Sequence, residues 1–309
     1  MVSQTPVPEA QAAEGAFNAG EMIIGHVANT PIDHALIHLP TILGVNLSVT
    51  KHVLMLWFVA AALFVFVTTL VRSYVRQSRL VPSGAMNLLE LTVEFIRDTV
   101  VEPNVGAKWV NVWTPLILTF FLFILCANAI GLVPIFDVLG LLDHYVFHTA
   151  DTSFLHRLVH GGPTATSNYN VTAGLAVVTF FATIIAGTWA HGFIKHWKNL
   201  VPHGLPKPLY ILLVPMELLG MVVRPFALTM RLAANMTGGH IAILAILSFV
   251  FIFTNMFGTW MAGAGIGIVF SVPLAAAIMG LEIIVVLVQA YVFTLLSAVF
   301  IGMAIHSHH

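Results

Sequence analysis

The amino-acid sequence predicts an all-α integral membrane protein, and three observations carry that class. Of 309 residues, 59% are hydrophobic and only 8% are charged, whereas soluble domains carry about 25% charged residues. Mean hydropathy is +0.95. Several uncharged runs are long enough to cross, as helices, a bilayer core of about 30 Å. The pattern gives about five membrane-embedded helices and one amphipathic surface helix. It divides into an exposed N-terminal segment, 1–50, outside the cytoplasm, and a single membrane domain, 51–309.

Residues 1–22 are small, polar and acidic, without the basic start and apolar core of a signal peptide. Residues 23–50 mix apolar and polar positions and read as a short interfacial segment. The first span is expected at 53–71. Arg72, Arg76 and Arg79 follow it, so the positive-inside rule puts this end in the cytoplasm. Pro82-Ser83-Gly84 is a turn signal. The next element, 85–101, alternates Leu88, Leu91, Phe95 and Ile96 with Glu90, Glu94, Arg97 and Asp98 at helical spacing, as a surface helix does.

The second span is expected at 109–136 and carries Asn128 near its far end. An amide in a span usually bonds to a neighbouring helix. Residues 137–169 form the longest polar connection. His144 with His148, and His156 with His160, are spaced for a metal on a helix, but no HExxH or cysteine partner accompanies them. They read as surface histidines, and no metal or cofactor is expected. The third span, 170–192, runs back to the cytoplasm, with His191, Lys195, His196 and Lys198 at that interface.

From Leu209 to Ile305 the only Asp, Glu, Lys or Arg residues are Glu217, Arg224, Arg231 and Glu282. A charge at the bilayer centre costs at least about 2.5–3.5 kcal/mol and usually faces protein or a water-filled cavity. Glu217, Arg224 and Arg231 are spaced seven and seven apart, so they share one helical stripe, with Asn235 close to it. His240 points to roughly the opposite side. Arg224, beside Pro225, can snorkel to the headgroups. Arg231 is harder to dismiss, because the uncharged run Ile241 to Leu281 begins soon after it.

Glycines at 258, 263, 265 and 267 divide this region in two. Taken alone, it fits either four short spans or two long tilted helices. In an antiparallel hairpin, pairing Arg231 with Gln289 and His240 with Glu282 puts the turn near residues 260 and 261, inside the glycine-rich stretch. Such a hairpin would give every buried polar group a partner.

RPFALTMRLAANMTGGH, from Arg224 to His240, resembles the signature of subunit a of F-type ATP synthases. NAIGLVP (Asn128 to Pro134), PTATSNYNVT (Pro163 to Thr172) and the Glu282 to Gln289 segment resemble the same family, in its order. The resemblance covers nearly the whole chain from about Ile23. It favours a long tilted antiparallel hairpin, 208–257 and 266–305, lying against a ring of c subunits.

The resemblance implies a multi-pass stator in the cell inner (plasma) membrane, with its N-terminus outside and its C-terminus in the cytoplasm. Its expected partners are the c-ring, the peripheral-stalk b subunits, the rest of the F1Fo synthase and the lipid bilayer. Arg231 would stand between two offset proton half-channels as the essential ion-translocation residue. His240 and Glu282 would relay protons in the outer half-channel, which Asn128 neighbours. Gln289 would hold Arg231, Asn235 would orient it or line the inner path, and Glu217 would shape the inner exit. Arg224 is a secondary candidate. The His240–Glu282 pair leans toward H⁺ over Na⁺. The chain itself would perform no bond chemistry, and nothing in it resembles a P-loop.

Other classes fit less well. A secondary transporter with a midplane solute site explains the buried charges, but it predicts internal symmetry that the sequence lacks. An intramembrane hydrolase needs a nucleophile with a positioned base, and none is evident. A net charge of −1 gives no sign of nucleic-acid binding. The single cysteine, Cys126, can form no internal disulfide.

Overall fold

The computed structural model describes residues 20, 23–24, 41–42, 45–46, 48–76, 83–132, 165–198, 207–257 and 260–306. Most of the N-terminal segment and the whole histidine-rich stretch 143–160 lie outside these residues. A two-residue antiparallel pair, β1 (Thr41–Ile42) with β2 (Val45–Asn46), precedes the helices. The other described residues are mostly helical, and among them five helices are long and apolar enough to cross a membrane.

The first, α1 (Lys51–Arg76), exposes Trp57, Phe58, Phe64 and Phe66, as a lipid-facing helix does. Lys51 and His52, at its start, are buried. The amphipathic element is less regular than its sequence pattern suggests. It runs as α2 (Ala85–Glu94), a π-helical stretch Phe95–Val101, and α3 (Glu102–Val105). Gly84 opens it at φ 62° and Gly106 closes it at φ 81°, both in the left-handed region that favours glycine. The π segment turns Ile96, Val100 and Val101 into the core, while Leu88 and Leu91 of α2 stay exposed. The second half of the expected surface helix therefore packs into the core, while the first half buries none of its residues.

Helix α4 (Val110–Leu132) packs against the last helix, and its Ile117, Phe120 and Ile124 are buried in the shared core. Phe120 meets Phe293 edge to face, with centroids 5.6 Å apart. A 3₁₀ turn, Ala165–Ser167, leads into α5 (Tyr169–His191), whose N-cap is Asn168. The Asn168 side chain accepts a 2.8 Å bond from the Asn170 amide and so occupies one of the free donors of the first turn. Gly192, at φ 85°, ends α5, and the short α6 (Phe193–Lys198) follows.

Two helices dominate the rest: α7 (Lys207–Phe257, 51 residues) and α8 (Trp260–Ile305, 46 residues). Their contacts pair descending with ascending numbers: Val250 with Gly267, Asn235 with Gln289, Arg224 with Phe300. They form an antiparallel hairpin. At about 1.5 Å per residue α7 is about 76 Å long, against a hydrocarbon core of about 30 Å, so it cannot stand upright within it. Pro215, Pro225 and Gly238-Gly239 lie inside α7 and do not end it.

The chain reverses between Phe257 and Trp260, at the start of the glycine-rich stretch and close to the expected turn, but the rest of that stretch is helical. Helix α8 begins at Trp260 rather than 266 and runs through Gly263, Gly265 and Gly267. Gly267 is buried against the backbone of Val250, where a Cβ would lie 2.6 Å from the Val250 Cα. That glycine lets two helices approach; it does not reverse the chain.

Candidate functional site

The site lies along the hairpin, on the stripe of α7 that the sequence marks as charged. Leu228, Leu232, Ala233 and Met236 are buried in the bundle. Arg231, Ala234, Asn235 and Gly238 recur at helical spacing and lie exposed on another side. The Arg231 guanidinium makes no hydrogen bond or ion pair to a described residue. Of the residues grouped with it by sequence, it alone leaves the bundle as an outward-facing charge.

Gln289 is buried at 3% exposure on α8. Its Oε1 accepts a 2.9 Å hydrogen bond from Asn235 Nδ2, not from Arg231. The expected register is therefore about one helical turn off at this level. Asn235 and Gln289 have side chains long enough to reach along the axis, and a constant-register argument does not allow for that. The amide pair ties the two helices together one turn past Arg231.

Glu282 is the most isolated acid in the hairpin. It is 3% exposed, and neither carboxyl oxygen accepts a hydrogen bond from a described residue. It packs against Gly239 of α7, where an added Cβ would lie 2.8 Å from the Glu282 Cδ and closer still to Oε1. His240, the next residue, is half-buried. Glu282 is thus a buried acid whose carboxyl no described side chain or backbone group engages by a hydrogen bond.

Glu217 and Arg224 pair with each other. Arg224 donates from a guanidinium nitrogen to Glu217 Oε1 at 3.2 Å, and its guanidinium lies over the Phe300 ring, 5.9 Å from the centroid. Arg224 is thus turned along its own helix and onto α8, rather than reaching freely toward headgroups. Both partners are partly exposed, at 28% and 41%, so the pair adds little stability.

Asn128, on α4, is fully buried. It accepts a 2.6 Å hydrogen bond from the Thr166 hydroxyl, while its Nδ2 has no partner among the described residues. The same 3₁₀ turn reaches α7, where the Thr237 hydroxyl donates to the Ser167 carbonyl at 3.4 Å. The turn thereby links Asn128 to the helix that carries His240. Thr166, Ser167, Thr237 and Gly239 contribute here without being singled out by the sequence. Thr166 was visible only as one letter of PTATSNYNVT, and Gly239 as half of a glycine pair that reads as a bend.

Away from the hairpin centre, the ends of α5 and α8 are fastened together. His191 Nε2 donates to the Ile305 carbonyl at 2.9 Å. His196 of α6 is buried against Gly187, and its Nε2 has no hydrogen-bond partner among the described residues. Burial, helped by nearby His191, holds the His196 imidazole below its ordinary value.

Comparison with known proteins meets this geometry. The family model described as ATP synthase A chain matches residues 53–302. A protein of Chlorobium luteolum named ATP synthase subunit a 2 is 38% identical over 294 residues, 93% of this chain and 76% of that one. One of the same name from Prosthecochloris aestuarii is 38% identical, covering 96% of this chain and 82% of its own. An ATP synthase subunit a of Pelodictyon phaeoclathratiforme is 36% identical, covering 98% and 82%. The match takes in all five spans and every charged position of the hairpin, and the chain belongs to the ATP synthase A chain family.

Proposed function

We propose that this chain, a component of the Fo proton channel, holds two offset half-channels apart with Arg231 while a ring of c subunits turns past it. The observation that carries the reading is the outward-facing Arg231, free of any acid among the described residues and lying on the same hairpin as the buried Glu282. An exposed guanidinium in an apolar face needs an anion from outside the chain. A carboxylate on each ring subunit supplies one.

A neutral, protonated ring carboxyl can face lipid, whereas an ionised one does so only at high cost. Arg231 favours the ionised form as the acid passes. The proton therefore leaves to one half-channel, and the acid reloads from the other. The same fixed charge repels protons and keeps the half-channels from joining. Arginine suits this task better than lysine, because it stays charged when desolvated.

His240 and Glu282 serve the outer half-channel, with Asn128 beside it. Asn235, held by Gln289, orients Arg231, and Glu217 with Arg224 lines the inner exit. The ion is H⁺. Lys195, Lys198 and Arg72 mark the cytoplasmic side, which puts the N-terminus outside and the C-terminus in the cytoplasm of a bacterial inner membrane. The chain makes and breaks no covalent bonds. Its other partners are the peripheral-stalk b subunits and the soluble head.

A crosslink tests the ring contact. A cysteine replacing Ala234, beside Arg231 on the exposed stripe, should crosslink to cysteines set one turn from the ring carboxylate. No crosslink in an assembled, pumping complex would remove the ring from this face.

A further inference from the structure

We propose that the cleft between α5, α7 and α8 at Arg224 holds a glycerophospholipid with a primary-ammonium headgroup. Its phosphate sits on Arg224, its ammonium on Glu217, and an acyl chain lies in the cleft. The inference goes beyond the channel reading and does not depend on the role of Arg231.

Phe180 and Thr183 of α5, Met221, Arg224 and Pro225 of α7, and Phe300 of α8 line the cleft, which measures about 280 Å³ with its open mouth. Pockets that enclose drug-sized solutes run to about 300–1,000 Å³. This cleft suits a slender chain, not a compact solute. Its lining is mostly apolar, and the Thr183 hydroxyl is already engaged, donating to the Thr179 carbonyl at 2.9 Å.

The rim is polar and only partly satisfied. Arginine carries five N–H donors, and one Arg224 nitrogen donates to Glu217 Oε1 at 3.2 Å. The remaining Arg224 donors make no hydrogen bond to a described residue, and neither does Glu217 Oε2. The guanidinium is steadied over the Phe300 ring. Pro225 has no amide hydrogen, so the Met221 carbonyl, four residues earlier, lacks its usual helical donor. Free donors and free acceptors thus stand side by side above an apolar cleft.

A phosphate takes a guanidinium in a forked, charge-assisted contact. A primary ammonium brings three donors to the Glu217 carboxylate and the Met221 carbonyl. The Arg224–Glu217 pair is neutral as a whole, so a headgroup with one phosphate and one ammonium matches it. A purely anionic headgroup would leave Glu217 without a cation, and a quaternary ammonium offers no N–H. The pair stands in the first part of α7, on the side that Lys195 and Lys198 mark as cytoplasmic. The lipid therefore belongs to the inner leaflet. Arg224 does not reach out to the headgroups; one headgroup settles on the pair where it stands.

The test uses the whole synthase in phosphatidylcholine vesicles that carry a trace of phospholipid with a photoreactive acyl chain. Labelled residues are mapped by mass spectrometry. A phosphatidylethanolamine probe should label Phe180, Met221 and Phe300 about two- to fivefold more than a phosphatidylcholine probe, the preference expected of a partly exposed ion pair. Glu217→Gln should remove that preference, and Arg224→Gln should lower labelling by both probes. Labelling of Phe64, exposed on α1, should be the same for both probes and in both variants. The comparison of probes needs only the wild-type protein, so it holds even where a variant fails to assemble.

Equal labelling of the cleft by the two probes would overturn the proposal, as would a preference that survives Glu217→Gln. Stronger labelling by a phosphatidylglycerol probe than by phosphatidylethanolamine would also overturn it, in favour of an anionic lipid. A cleft left unlabelled while Phe64 is labelled would overturn it by showing that a protein segment covers this face. Labelling is read without pumping, so none of these outcomes bears on whether Arg231 separates the half-channels.

Discussion

Asn235 on α7 donates to Gln289 on α8 across 2.9 Å, one helical turn from Arg231. The buried amide of Gln289 thus braces the neighbour of the arginine and makes no bond to the guanidinium. Gln289→Leu should keep the complex assembled and slow pumping several-fold. One hydrogen bond is worth about 0.5–1.5 kcal/mol net, or roughly a factor of two to ten. A loss as complete as that from removing Arg231 would mean that Gln289 contacts the guanidinium after all. Pumping rates of purified, reconstituted complexes distinguish these outcomes.

The Asn128–Thr166 bond, 2.6 Å long and fully buried, fastens the 3₁₀ turn to α4. Thr166→Val would leave the Asn128 oxygen without its donor, in addition to the Nδ2 that already lacks a partner. An unsatisfied buried group costs about 1–3 kcal/mol. The variant should unfold at lower temperature in detergent, whereas Thr166→Ser should match the wild type. Equal melting of all three would show that the bond contributes nothing.

Much of the fold could be read from composition and charge. The uncharged runs correspond to helices, because a span must bury its own backbone polar groups whatever its neighbours are. The exposed Arg231 could be anticipated for the same reason: a charge is conspicuous in an oily helix. Register was harder to read. From Gly239 to Asn235 is four residues on α7, but from Glu282 to Gln289 is seven on α8. Contacts made through backbone and contacts made through long amides do not keep a common offset. The π-helical stretch Phe95–Val101 left no mark on the apolar spacing. Gly267 read as chain-breaking, because a glycine at a close helix crossing and a glycine in a turn look alike in a sequence.

Gly302 of α8 faces the backbone carbonyl of Asn104 in α3, with no room for a Cβ between them. Backbone cannot move aside as a side-chain end can, so Gly302→Ala overpacks the contact at a cost of about 1–3 kcal/mol. Reduced yield of assembled complex is expected, with normal pumping per complex that does assemble. Wild-type yield and melting temperature would show that α3 is not held there.

His196 makes the docking of α6 sensitive to pH. Its imidazole is held below the ordinary value of 6.5, chiefly by burial and then by His191. The unfolded or undocked segment therefore binds more protons than the docked one over the interval between the two values, and stability rises with pH there. Docking is strongest above 6.5 and weakens as pH falls from 6.5 toward the lowered value. Amide hydrogen exchange over residues 193–198, corrected for its intrinsic pH dependence, should show less protection at the acidic end. His196→Phe should abolish that dependence. Protection that is flat with pH in the wild type would contradict the assignment.

The central claim is that one outward-facing guanidinium both drives protons off the passing ring acids and keeps the two half-channels separate. The most direct measurement is proton movement in vesicles carrying the assembled Arg231→Ala complex, followed first with ATP and then, without ATP, under an imposed gradient. The account predicts no ATP-driven acidification together with passive proton flow above that of the wild type. ATP-driven pumping at the wild-type rate would contradict it.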